Sequence, residues 1–141
     1  MNKDLKLLTK IYEGTHIGSK SLNAILPKIE SPILRRAIIS QICEYDKINS
    51  DAKSQISSMG EKTSAPAFSS LMAITEAKIN TTINPSSSHI AEMVIKGSNM
   101  GIISITKELN KSNQCQPNAY NLGRKLVKTE AENIEKIKSF L

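Results

Sequence analysis

Ser31-Pro32-Ile33-Leu34-Arg35-Arg36-Ala37-Ile38 opens the stretch that decides the fold, and Met59-Gly60 closes it. A Ser directly before a Pro reads as a helix N-cap followed by the first helical position, where a missing N–H costs nothing. Leu34, Ala37, Ile38, Tyr45, Ile48, Ala52, Ile56 and Met59 then recur at mostly three- and four-residue steps, which keeps one face of a helix apolar. Gly60 suits the position just past the last turn. The spacing predicts one long helix over residues 31–59, about 40 Å at 1.5 Å per residue.

The same punctuation divides the rest of the chain. Pro27 follows an apolar-periodic stretch that predicts a helix over 3–26. Pro66 opens a shorter amphipathic run, Phe68, Leu71, Met72, Thr75 and Ile79, predicted as a helix over 66–82. Asn84-Pro85 repeats the cap-plus-proline signal ahead of Ile90, Met93, Val94, Gly97, Gly101 and Ile105, a helix over 85–111. Pro117 starts the last, over 117–141, with Ala119, Leu122, Leu126, Ile137 and Phe140 on its apolar stripe. The β-branched residues show no period of two, so no strand competes, and the fold class is all-α. Short connections make the first two long helices one antiparallel hairpin and the last two another. The residues between them are long enough to run the length of a bundle as a crossover helix.

With 141 residues, one domain is expected. No apolar run approaches the roughly 18 residues a membrane span needs, and the charged opening Met1-Asn2-Lys3-Asp4-Leu5-Lys6 does not suit a signal peptide. A cytoplasmic protein with no membrane span is the expectation. Nineteen Lys+Arg against thirteen Asp+Glu leave a net charge of +6. Lys3, Lys6 and Lys10 share one side of the first helix, but no aromatic stacking platform accompanies them. A solvated lysine face is therefore preferred to a nucleic-acid or anionic surface. Cys43 and Cys115 belong to no CxxC pair, so they read as ordinary thiols of a reducing compartment, without disulfide or zinc.

Hairpin, lengthwise crossover, hairpin resembles the ferritin-like four-helix bundle. Within that superfamily the chain is similar to the short, uncharacterised bacterial ferritin-like proteins, most distinctively at Ser88-His89-Ile90-Ala91-Glu92-Met93 and Gly97-Ser98-Asn99-Met100-Gly101-Ile102. The resemblance implies a fold more than a function. Members of the superfamily often hold two iron or manganese ions between one Glu on each of two helices and a Glu-x-x-His pair on each of the other two. Here Glu13, Glu44, Glu92 and Glu130 lie midway along the four long helices, but Lys47 and Asn133 stand where the histidines belong. By helical phase Glu13 and Glu92 fall away from the apolar faces, Glu44 sits at an edge, and Glu130 alone points inward. Glu13-Gly14-Thr15-His16 and His89-Ile90-Ala91-Glu92 match a motif search but lie off the inferred core. Iron or manganese on Glu44, Glu92 and Glu130 is the alternative; no cofactor is the expectation.

At mid-height the inward positions are polar or small: Thr15 and Gly18, Gln41 and Tyr45, Gly97 and Gly101, then Thr129, Glu130 and Asn133. Each such polar group left unpaired would cost about 1–3 kcal/mol, so a closed hydrogen-bond network is expected, with a small occupied cavity as the alternative. Gly14-x-x-x-Gly18 and Gly97-x-x-x-Gly101 each give up about 1 kcal/mol per Gly against Ala, which suggests that another backbone or a bulky group approaches there; close packing is preferred, with room for a ligand second. No phosphate loop, nucleophile elbow or dinucleotide fingerprint occurs, and His16 and His89 are too separate to pair, so no enzyme is signalled. The sequence thus reads as a non-enzymatic binding or structural module with a degenerate metal site. Ile17, Ile39 and Ile103 lie outside their stripes, and a homodimer is expected ahead of a monomer.

Overall fold

The computed structural model describes residues 2–63, 86–111 and 116–141; the helix expected over 66–82, and Cys115, lie outside them. Among the described residues the structure is all-α, with four long helices: α1 (Lys3–Ile25), α2 (Pro32–Ser58), α3 (Ser87–Lys111) and α4 (Pro117–Lys138). Their ends follow local chemistry. Asn2 caps α1 by accepting from the Asp4 N–H at 2.8 Å, and Ser31 caps α2 by accepting from the Leu34 N–H at 3.2 Å. α1 ends one residue earlier than expected, where Pro27 tightens the chain into a 3₁₀ turn, Leu26–Lys28. α2 stops at Ser58, with Met59 as its C-cap. Gly60 then takes φ +77°, while Gly60 N–H donates to Ser57 and Glu61 N–H to Ile56, the paired bonds that satisfy a helix's last carbonyls. Ser86 accepts from the His89 N–H at 3.2 Å at the start of α3, whereas Asn84-Pro85 falls outside the described residues. α4 ends at Lys138, three residues short of the expected Leu141.

Two crossings set the helix directions. Gln116 N–H, at the start of α4, donates to Asp4 at the start of α1, and Gln55, near the end of α2, donates to the Asn118 carbonyl. Thus α1 and α4 run one way and α2 the other. Gly123, early in α4, sits against Leu109, late in α3, so α3 runs with α2. α1 pairs with α2 and α3 with α4, and α1–α3 and α2–α4 contacts close the square. The connection from Ser58 to Ser87 therefore joins opposite ends of the assembly.

The apolar stripes meet in one core that includes Leu7, Leu8, Ile11, Leu34, Ile38, Ile48, Ile56, Ile90, Ile105, Leu126 and Ile137. Burying a side chain of this size contributes about 1.5–3 kcal/mol. No helix among the described residues is long and apolar enough to cross a membrane. Ile39 and Ile103 are exposed, as are Ile33, Met100 and Leu141, while Ile17 is half-buried. Cys43 is an exposed free thiol.

Candidate functional site: a polar cluster inside the helices

Thr15, Gln41, Tyr45, Thr129, Glu130 and Asn133 are all buried. They are there because each helix carries its polar residue in phase with its apolar stripe: Gln41 and Tyr45 between Ile38 and Ile48 on α2, Glu130 and Asn133 between Leu126 and Ile137 on α4. At the centre, the Tyr45 hydroxyl donates to Glu130 Oε1 at 2.5 Å, linking α2 to α4. Gln41 Nε2 donates to the Tyr45 hydroxyl at 3.2 Å and to Ser98 Oγ, on α3, at 3.1 Å.

α1 enters this cluster through its backbone. A methyl group on Gly18 would come within 2.7 Å of the Tyr45 ring, and one on Gly101 of α3 would collide with the Glu130 carboxylate. These two glycines make room for side chains, not for another backbone. The other half of each glycine pair needs correction: a methyl on Gly14 or Gly97 would meet nothing within 4 Å, and both residues are exposed. Gly97 was expected inward; Ser98 holds that place, 2% exposed. The stripe that fits α3 runs Val94, Ser98, Gly101, Ile105, and Gly97 sits one residue, about 100°, away from it at Ser98.

Electrostatics at the centre are set by burial. Desolvation pushes the Glu130 carboxyl up to about 7, and the charge of Glu44 pushes the same way, against the Tyr45 and Ser98 hydroxyls, which favour the anion. Burial, then the Glu130 charge, holds the Tyr45 phenol far above its ordinary range. Both groups are therefore neutral on the acid side of neutrality, and the pair can hold or release one proton at Glu130.

Three buried atoms of the cluster, Gln41 Oε1, Glu44 Oε1 and Asn133 Nδ2, find no hydrogen-bond partner among the described residues. A second set of bonds, which the sequence did not reveal, ties α1 to α2 beside the cluster. Asn49 Nδ2 donates to the Tyr12 carbonyl at 3.0 Å and to Thr15 Oγ1 at 3.1 Å, and Ser19 donates to Asp46 at 2.6 Å. Thr15 itself donates back to the Ile11 carbonyl at 2.8 Å.

The carboxylates of the metal alternative are only partly brought together. Glu44 is half-buried at the rim and close enough to Glu130 to raise its pKa. Glu92 is exposed on the far side of α3, 3.0 Å from Lys96, whose ammonium holds it below the usual carboxylate range. Glu13 is half-buried, and His16 stacks on Tyr12 with ring centroids 6.1 Å apart. No group of three or more His, Cys, Asp or Glu gathers among the described residues. Glu44, Glu92 and Glu130 therefore do not fit an iron or manganese ion, because helical phase turns Glu92 outward and Tyr45 occupies Glu130.

Buried Glu108 also escaped the sequence reading. It lines a groove of about 400 Å³ with Lys10 of α1 and Met100, Ile103, Lys107 and Lys111 of α3. No family model matches the chain, and no curated protein matches it in sequence.

Proposed function

We propose that this chain is a ferritin-like module that works by binding in the cytoplasm, not by catalysis, and whose mid-height metal position has been given over to a hydrogen-bonded polar cluster. The observation that carries the reading is the Tyr45 hydroxyl on Glu130 Oε1 at 2.5 Å: the most inward carboxylate has a protein partner where the superfamily would offer it to a metal. The order of directions supports the family reading, since α2 and α3 run the same way and their connection joins opposite ends. The exposed thiol of Cys43 suits a reducing compartment. The test is elemental analysis of untagged protein after separate incubation with iron(II), manganese(II) and zinc(II), followed by desalting. Retention well below one equivalent is expected; about two equivalents of iron or manganese would overturn the proposal.

A second reading, association with an anionic surface, is favoured by the groove between α1 and α3, where Lys10, Lys107 and Lys111 outnumber the buried Glu108 and line the same groove as the exposed Met100 and Ile103. Lysines beside apolar side chains suit an anionic lipid face better than a duplex, which offers no apolar layer. Sedimentation with vesicles of anionic lipid should then weaken steeply between 50 and 200 mM salt. Equal binding to neutral vesicles would remove this reading.

A further inference from the structure

Helical phase and register set the residues that carry the three unpartnered atoms along one seam between α2 and α4. Gln55 and Glu44 occupy the same stripe of α2, eleven residues apart, and Gln55 reaches the Asn118 carbonyl of α4, so that stripe faces α4. With Tyr45 bonded to Glu130 one level along, the antiparallel register sets Gln41 level with Asn133 and Glu44 level with Glu130. Gln41 Oε1 and Glu44 Oε1 are acceptors, whereas Asn133 Nδ2 is a donor. Gln41 and Asn133 are 1% and 3% exposed, so bulk solvent does not satisfy them.

We propose that the α2–α4 seam holds one internal water, which donates to Gln41 Oε1 and Glu44 Oε1 and accepts from Asn133 Nδ2. Two donors and one acceptor are what the three atoms lack, and three polar partners are what a buried water ordinarily takes. A cation fits less well, because the Asn133 N–H points its positive end at the site. The water joins the rim carboxylate Glu44 to Gln41, and through Gln41 to Tyr45, Ser98 and Glu130. The cluster becomes one hydrogen-bonded path from the edge of α2 to the centre of the helices.

The site stands independently of the binding role proposed above. Its test is the water-selective NOE and ROE of ¹⁵N-labelled protein, read at the Asn133 side-chain amide. A long-lived water gives cross-peaks of opposite sign in the two spectra, and they should survive in Ser98→Ala and Tyr45→Phe, which remove the hydroxyls that could relay exchange. Absence of the cross-peak, or its loss in either variant, would overturn the inference. A crystal structure of the wild type at high resolution gives the same answer without variants: a water within hydrogen-bond distance of all three atoms supports the site, and a metal ion or a rotated Asn133 paired within the chain overturns it. Retention of metal in the elemental analysis with this water still present would overturn the binding role alone.

Discussion

Replacing Glu130 by Gln should make the protein more stable at high pH and change little at low pH. The Glu130 carboxyl is 3% exposed and titrates at about 7 in the fold against 4.5 for the free side chain. Below pH 4.5 it is neutral in both states and carries no penalty. Between pH 4.5 and 7 the unfolded chain releases the proton while the folded chain keeps it, so stability falls as pH rises. Above 7 both states are ionised and the loss levels off at about 3 kcal/mol, from about 1.4 kcal/mol per pKa unit. Gln keeps an oxygen for the Tyr45 hydroxyl but never ionises. Urea unfolding followed by far-UV circular dichroism, repeated from pH 4 to pH 8.5, gives the difference between wild type and Glu130→Gln at each pH. That difference should move by about 3 kcal/mol in favour of the variant, or roughly 10 °C in Tm for a chain of this size. A difference that does not vary with pH, or that moves towards the wild type as pH rises, would refute the reasoning that burial dominates at Glu130. Glu44→Gln should shift the midpoint of the curve downward, because the Glu44 charge raises the Glu130 pKa.

The glycine pairs give a sharper contrast than their spacing suggests. Gly18→Ala should cost about 1–3 kcal/mol by driving a methyl into the Tyr45 ring, whereas Gly14→Ala, one turn away and open, should gain about 0.5–1 kcal/mol; thermal unfolding of the two variants checks both. The same split is expected on α3, Gly101→Ala destabilising and Gly97→Ala stabilising. Tyr45→Phe should cost about 1–3 kcal/mol and move the Glu130 midpoint further up, since the lost hydroxyl favours the anion; a carboxyl carbon titration by NMR reads the second effect. Asn49→Ala should cost about 1–2 kcal/mol by releasing the Tyr12 carbonyl and Thr15, and Asn49→Asp more, because a carboxylate would face that carbonyl; equal losses in denaturant unfolding would argue against the α1–α2 tie.

Much of the scaffold was legible in the chain because helix ends are settled within a turn. Ser31-Pro32, Gly60 and Pro117 each act on backbone groups three or four residues away, and the structure starts or stops helices at them. Burial of Gln41, Tyr45, Glu130 and Asn133 could also be read, since a step of 100° per residue fixes which positions share a face with Leu34, Ile48, Leu126 and Ile137. The outward turn of Glu92 followed from the same rule.

Contacts between helices could not be read that way. Tyr45 and Glu130 are 85 residues apart, and Gln41 and Ser98 are 57 apart. Whether they meet depends on how far each helix slides and rotates against its neighbour. A one-residue error of phase was enough to exchange Gly97 for Ser98, and an identical four-residue spacing concealed that Gly18 faces a tyrosine ring while Gly14 faces nothing. The sequence by itself determined where the long helices lie, to within three residues at each end, and that Gln41, Tyr45, Glu130 and Asn133 go inside, because those are properties of one helix and its nearest turns. Only the tertiary structure decided which of those side chains satisfy one another and which three atoms find no partner among the described residues, because a hydrogen bond is lost over a displacement of an ångström that no single helix can specify.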